Sequence, residues 1–135
     1  MNLFLDDERH PYQVKWVDLP LVDWVIVRSY DEFVRYIQTH GVPTRVSFDY
    51  DLADEHYPFT AANQAAYASI SPTALIIPYD KYKEKTGYDA AKWLVEYCLQ
   101  KNIPFPETYI HTMNPLGKAN IKSLVDSFWK VFDKR

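Results

Sequence analysis

Acidic residues in this chain follow short apolar runs, an arrangement suited to divalent-cation and phosphate chemistry. Asp6 and Asp7 follow Leu3-Phe4-Leu5, and Asp49 and Asp51 follow Val46-Ser47-Phe48. His111, Thr112 and Asn114 follow Tyr109-Ile110. If each run is a strand of an open parallel α/β sheet, these groups gather at its carboxyl edge, where such sheets bind ligands. Carboxylates that close repel one another unless protons or a cation neutralise them. Hard oxygen donors of this kind suit Mg²⁺ or Mn²⁺. Asp6, Asp7 and Asp49 are therefore the metal candidates, and Asp51 is placed to orient a water or act as a general base.

Each group also has a plainer reading. Aspartates after a strand bond turn amides, and a histidine at a strand end can be a satisfied structural residue. His111 is alternatively an acid or base, since its ordinary pKa lies near neutrality. Arg9 either binds phosphate or pairs with an aspartate. Asn114-Pro115 reads as the N-cap and first residue of a helix. That helix start is also a phosphate-site candidate. The amides of Leu116, Gly117 and Lys118 would lack intrahelical partners, and Lys118 adds a positive charge. Thr112 stands beside them at the same strand end.

The elements that must position these groups are legible as an alternation. Strands are predicted at Asn2 to Leu5, Asp23 to Arg28, Val46 to Tyr50 and Thr108 to Thr112. A Ser29–Glu32 capping box opens a helix that carries Phe33, Val34 and Ile37 and stops at Gly41. A second helix starts at Thr86-Gly87-Tyr88-Asp89, carries Ala91, Leu94, Val95 and Cys98, and ends near Asn102. The last helix buries Ile121, Leu124, Val125, Phe128 and Phe132. The expected fold is a mainly parallel α/β sheet of four or five strands within a single 135-residue domain. The first connection shows no helix, which leaves the direction of the second strand open. An insertion from about 53 to 85 breaks the rhythm: Thr60 to Ile70 is Ala-rich and helix-like, and a proline-bracketed apolar run follows. A lid over the crevice and a homodimer contact are equal readings of it.

Composition narrows the function classes. A net charge of −3 excludes bulk electrostatic coating of nucleic acid. It leaves room for an enzyme acting on a phosphate-containing small molecule or a nucleic-acid end, with a metal supplying positive charge. The single cysteine, Cys98, forms no internal disulfide and suits a reducing, cytoplasmic setting. No signal peptide and no membrane-length apolar run are visible.

The chain resembles the cyclic-phosphate-processing receiver-like family, a divergent branch of response-regulator receiver domains found in bacteria and tailed phages. The resemblance is carried by Leu5-Asp6-Asp7-Glu8-Arg9, Ser47-Phe48-Asp49-Tyr50-Asp51-Leu52, Gly87-Tyr88-Asp89-Ala90-Ala91-Lys92-Trp93-Leu94 and His111-Thr112-Met113-Asn114-Pro115-Leu116-Gly117-Lys118. It implies a flavodoxin-like three-layer sandwich, with Mg²⁺ held at Asp6, Asp7 and Asp49. The insertion is longer than the turn expected there. Asp51 is not a receiver feature, and the receiver lysine after a fifth strand has no counterpart beyond the stand-in Lys118. These departures favour a ligand-processing site. The leading expectation is a metal-dependent phosphoesterase acting on a cyclic phosphate or nucleotide-type ester. Asp49, Asp51 and His111 would serve catalysis, and Arg9, Thr112, Asn114, Gly117 and Lys118 would bind phosphate. A non-catalytic phospho-ligand module and a phosphoacceptor receiver using Asp49 are the alternatives.

Overall fold

In the computed structural model the residues described are 1–52 and 85–134. Four parallel strands lie in the order β2-β1-β3-β4. They are β1 (Asn2–Leu5), β2 (Val25–Val27), β3 (Arg45–Phe48) and β4 (Glu107–Ile110). β2 pairs parallel to β1, with Leu3 opposite Val25, which settles the direction that the sequence left open. Its paired portion is shorter than expected. The insertion, with its expected helix and the lid and dimer readings, lies outside the described residues.

Local signals set the helices. In α1 (Tyr30–His40), Ser29 Oγ accepts the Glu32 amide at 3.1 Å. The Glu32 carboxylate takes the amide of Arg28 at 3.0 Å, one residue before the cap. α2 (Gly87–Lys101) begins with a complete capping box: Thr86 Oγ1 accepts from Asp89 N–H, and the Asp89 carboxylate accepts from Thr86 N–H. It ends at Asn102 in the left-handed region, at φ 57°. α3 (Pro115–Phe132) starts at Asn114, whose Oδ1 accepts the Gly117 amide at 3.1 Å.

Strand alternation sorts the side chains between two faces. Leu3, Leu5, Val46 and Phe48 join Phe33 and Ile37 of α1, Leu94 and Cys98 of α2, and Ile121 and Phe128 of α3 in one buried core. α1 packs beside α2, and α2 beside α3, so the three helices form a row on this face. Right-handed crossovers that keep moving toward β4 put α1 and α2 on the same side. Phe4, Ser47 and Tyr109 are aligned in register on the other face. That face is covered by the β1–β2 connection. Trp24 meets Phe4 edge-on at 6.2 Å and Tyr109 at 6.4 Å. Within that connection Pro11–Gln13 form one 3₁₀ turn. Among the described residues the third layer is thus irregular chain. Pro11 and Pro20 and the missing 3.6-residue apolar period explain why no α-helix forms there. No helix is long and apolar enough to cross a membrane among the described residues.

Gly87 fastens α2 to the end of β3. Its N–H donates to the Tyr50 carbonyl at 2.8 Å. A Cβ there would overlap the Asp49 carbonyl oxygen, so no side chain fits. Gly87→Ala is therefore expected to lower stability by at least about 1–3 kcal/mol, the usual cost of overpacking. Urea unfolding followed by far-UV circular dichroism measures it; an unchanged midpoint would show that β3 and α2 can separate freely.

Candidate metal centre

The strand ladder continues one residue past three strand ends. Asp6 N–H donates to Val27 O at 3.1 Å, Asp49 N–H to Leu5 O at 2.9 Å, and His111 N–H to Phe48 O at 2.9 Å. Alternation therefore still applies at these positions. Asp6 follows Phe4, Asp49 follows Ser47 and His111 follows Tyr109 onto the face away from the helices. One ligand atom from each of Asp6, Asp49 and His111 lies within 4.8 Å of the others. All three residues are buried. Asp7 and Asp51, half-buried, do not join this group.

Asp6 is held from every side. Its Oδ1 accepts the amides of Glu8 and Arg9, both at 2.9 Å. Its Oδ2 accepts from His111 Nε2 at 3.0 Å. Burial pushes the Asp6 pKa up, but the His111 hydrogen bond and charge and the two amides outweigh it, so the carboxyl lies below its ordinary value. His111 is pushed down by burial and by the Arg9 charge, against the pull of Asp6, and its pKa ends below the ordinary value. Both shifts are downward: the Asp6 carboxyl is held toward its ionised form and the His111 imidazole toward its neutral form.

Asp49 is the strained member. Burial first, and the Asp6 charge second, push its pKa up to about 7. The Tyr50 amide (2.8 Å from Oδ1), the Thr112 side chain and Arg9 only partly oppose this. Arg9 Nη1 reaches both carboxylates, at 3.6 Å from Asp6 and 3.9 Å from Asp49. Its guanidinium also stands 5.2 Å from the Trp16 ring centroid and touches Met113 Sδ at 3.8 Å. Arg9 therefore pairs with aspartates here, at distances too long for tight hydrogen bonds.

Other expected site residues are placed differently. Thr112 is buried, and its hydroxyl serves Asp49 and the Asn114 amide (3.2 Å) rather than standing open to a ligand. The Gly117 amide is taken by Asn114, and the Lys118 amide by the Asn114 carbonyl. The space beside Gly117 is filled by the Tyr50 ring, so its missing side chain serves packing rather than a phosphate. Lys118 lines a groove along β4 with Tyr109 and Lys122. His111 has both ring nitrogens engaged, Nε2 with Asp6 and Nδ1 with Ser47 Oγ at 2.6 Å, and no exposed surface. In this arrangement it offers no proton to a ligand.

The donor set fits a divalent cation. Asp6 and Asp49 would hold it, where burial and then the Asp6 charge leave the Asp49 carboxylate short of a positive neighbour. A model of the cyclic-phosphate processing receiver domain matches residues 1–127. The chain belongs to that family. No curated protein and no solved structure matches it. Membership ties this receiver-like domain to cyclic-phosphate processing and accounts for the all-parallel sheet with its acidic edge.

Sequence reasoning overlooked the shell around these carboxylates. Ser47, Phe4 and Trp16 hold His111, and Arg28 Nη1 ties the loop by donating to the carbonyls of Asp6 (3.1 Å) and Arg9 (2.8 Å). Strict alternation from Phe4 through Ser47 would have placed the first two beside the site.

The Asp49 shift fixes a pH dependence. Between its unfolded pKa of 3.8 and its folded value of about 7, the folded protein keeps a proton that the unfolded chain has lost. Stability therefore falls as pH rises through that window, by up to about 4 kcal/mol for the full shift. In EDTA, Asp49→Asn is expected to be more stable than the wild type at pH 8, with the gap closing toward pH 4. Thermal melts across that range provide the check; a gap independent of pH would mean that Asp49 is not the titrating group.

Proposed function

We propose that this domain is a metal-dependent phosphoesterase acting on a cyclic phosphate or a nucleotide-type phosphate ester. One observation carries the reading. Asp6 and Asp49, buried side by side at the carboxyl edge of a parallel sheet, leave Asp49 with a pKa near neutrality. A fold would not keep such a pair for stability alone, because burying a second carboxylate is costly without a cation. The substrate class rests on family membership.

When bound, Mg²⁺ or Mn²⁺ would polarise the phosphoryl oxygen and lower the pKa of a water. The chain supplies the rest. Asp6 and Asp49 would hold the cation, and Asp7 follows Asp6 in sequence. Arg9, whose two ion pairs are long and whose side chain is 35% exposed, turns to a phosphate oxygen once the cation neutralises the carboxylates. Asp51, half-exposed after β3, accepts the proton of the attacking water. The Leu116 amide, in the first turn of α3, remains for a non-bridging oxygen.

A phosphoacceptor receiver would need a lysine beside Asp49. Among the described residues the ion-pair partner of Asp49 is Arg9, and Lys118, the candidate, lines a groove along β4. The phosphoesterase reading is tested by incubating the protein with cyclic nucleotides and RNA 2′,3′-cyclic ends in Mg²⁺ or Mn²⁺. Ring opening is expected in metal and not in EDTA, with Asp49→Asn slower by about 10²-fold or more. Binding without turnover would make the domain a phospho-ligand module. A stable aspartyl phosphate after acetyl phosphate treatment would make it a receiver.

A further inference from the structure

Ser47, His111 and Asp6 stand in one line across the sheet, and the metal reading uses only the last of them. Ser47 Oγ lies 2.6 Å from His111 Nδ1, and His111 Nε2 lies 3.0 Å from Asp6 Oδ2. All three residues have no exposed surface. The imidazole is stacked on Phe4, with ring centres 4.4 Å apart and planes 8° from parallel. The His111 carbonyl accepts the Trp16 indole N–H at 2.7 Å, and its amide is fixed to Phe48. With one face stacked on Phe4, both ring nitrogens bonded and both backbone groups occupied, the ring keeps one orientation.

The line has the residue types of a serine–histidine–aspartate hydrolase. Its burial excludes that chemistry, since a serine without exposed surface reaches no substrate. The hydroxyl must act inside the protein. Asp6 Oδ1 accepts two amides and Oδ2 faces the Arg9 guanidinium at 3.6 Å, so the carboxyl is ringed by donors and the hydrogen of the 3.0 Å contact sits on Nε2. Among the described residues the hydrogen-bond partner of Ser47 Oγ is His111 Nδ1, so the hydroxyl donates to it. The neutral Nε2–H tautomer satisfies every atom of the line.

We propose that Ser47 and His111 are positioning residues for the cation site: Ser47 fixes the Nε2–H tautomer of His111, and His111 fixes the Asp6 carboxylate. This rests on the reading of Asp6 as a cation ligand. Asp6 Oδ1 is filled by two amides, and Oδ2 by His111 on one side. The remaining side of Oδ2 is the one that Arg9 shares with Asp49. A ligating carboxylate aimed by its own hydrogen bonds binds its metal more tightly.

Long-range ¹H–¹⁵N spectra of the His111 ring in the wild-type protein are the first test. A single Nε2–H tautomer is expected at neutral pH, before and after Mg²⁺. An Nδ1–H tautomer, or an imidazolium, overturns the relay. Ser47→Ala is expected to keep the wild-type circular dichroism, mix the tautomers and weaken Mg²⁺ binding about tenfold. An unchanged tautomer or an unchanged affinity in that variant overturns the proposal. If Ser47→Ala does not fold, the wild-type spectra decide alone. Pulsed EPR of the Mn²⁺-loaded protein is expected to show no directly bonded histidine nitrogen; a bonded one makes His111 a ligand and overturns its positioning role. A wild type that shows the Nε2–H tautomer but binds neither cation instead overturns the metal reading, and the positioning role with it.

Discussion

Two carboxylates buried on adjacent strands repel each other, and much of this domain is arranged around that repulsion. β1 and β3 are direct neighbours, so the residues after Leu5 and Phe48 must lie close. The ladder bond from Asp49 N–H to Leu5 O makes the closeness obligatory. Asp6 is satisfied first, by two amides and an imidazole. Asp49 is left with less: one amide, a threonine hydroxyl and a distant guanidinium. The asymmetry explains why one carboxyl is stabilised as an anion while the other holds its proton toward neutrality. Gly87 makes the arrangement rigid, because the start of α2 presses on the Asp49 backbone and leaves no room for β3 to move aside.

The one-sided placement of the helices bears on the site as well. With α1, α2 and α3 all on the face of Leu3 and Phe48, the Phe4 face is left to the chain between β1 and β2. That chain starts with Asp6 itself. It carries Arg9 over the carboxylates and Trp16 onto the His111 carbonyl, and Arg28 at the end of β2 ties its first turn down. A helix in this place would have covered the face with regular packing but turned its own polar groups inward. Irregular chain can bring a guanidinium, an indole and free amides to the same few ångströms.

How much of this was legible in the sequence follows the range of each interaction. The helix caps at Ser29, Thr86 and Asn114 were readable because their partners lie three residues away. Asp6, Asp49 and His111 were readable because each ends an apolar run, and parallel strands bring such ends together. The carboxylate shell was not, because the contact of Ser47 with His111 spans 64 positions and that of His111 with Asp6 spans 105. Nothing local marks Ser47 as anything but a small strand residue. The helix start at Asn114 misled for a related reason. Of the three amides expected to lack partners there, that of Lys118 bonds the Asn114 carbonyl and that of Gly117 the Asn114 side chain, and the Tyr50 ring, set by tertiary packing, closes the approach beside Gly117. Lys118, in the same helix turn, lines a groove with Thr108, Tyr109 and Ile110, a neighbourhood that its place in the sequence does not reveal.

The distribution of protons between Asp6 and Asp49 bears on how the domain would bind a cation. In a preformed site with two fully ionised carboxylates, the repulsion would be present in the free protein at its largest, and the fold would carry the whole of it. Here Asp49 escapes part of that cost by retaining a proton near neutral pH, and Arg9 escapes tight pairing by standing back from both carboxylates. A cation entering between them would displace the proton and release the guanidinium. The guanidinium would then be a positive side chain beside the site, and Asp49 would be converted from acid to ligand. The same burial that makes the pair unfavourable in the free domain is what a divalent cation at this edge would relieve.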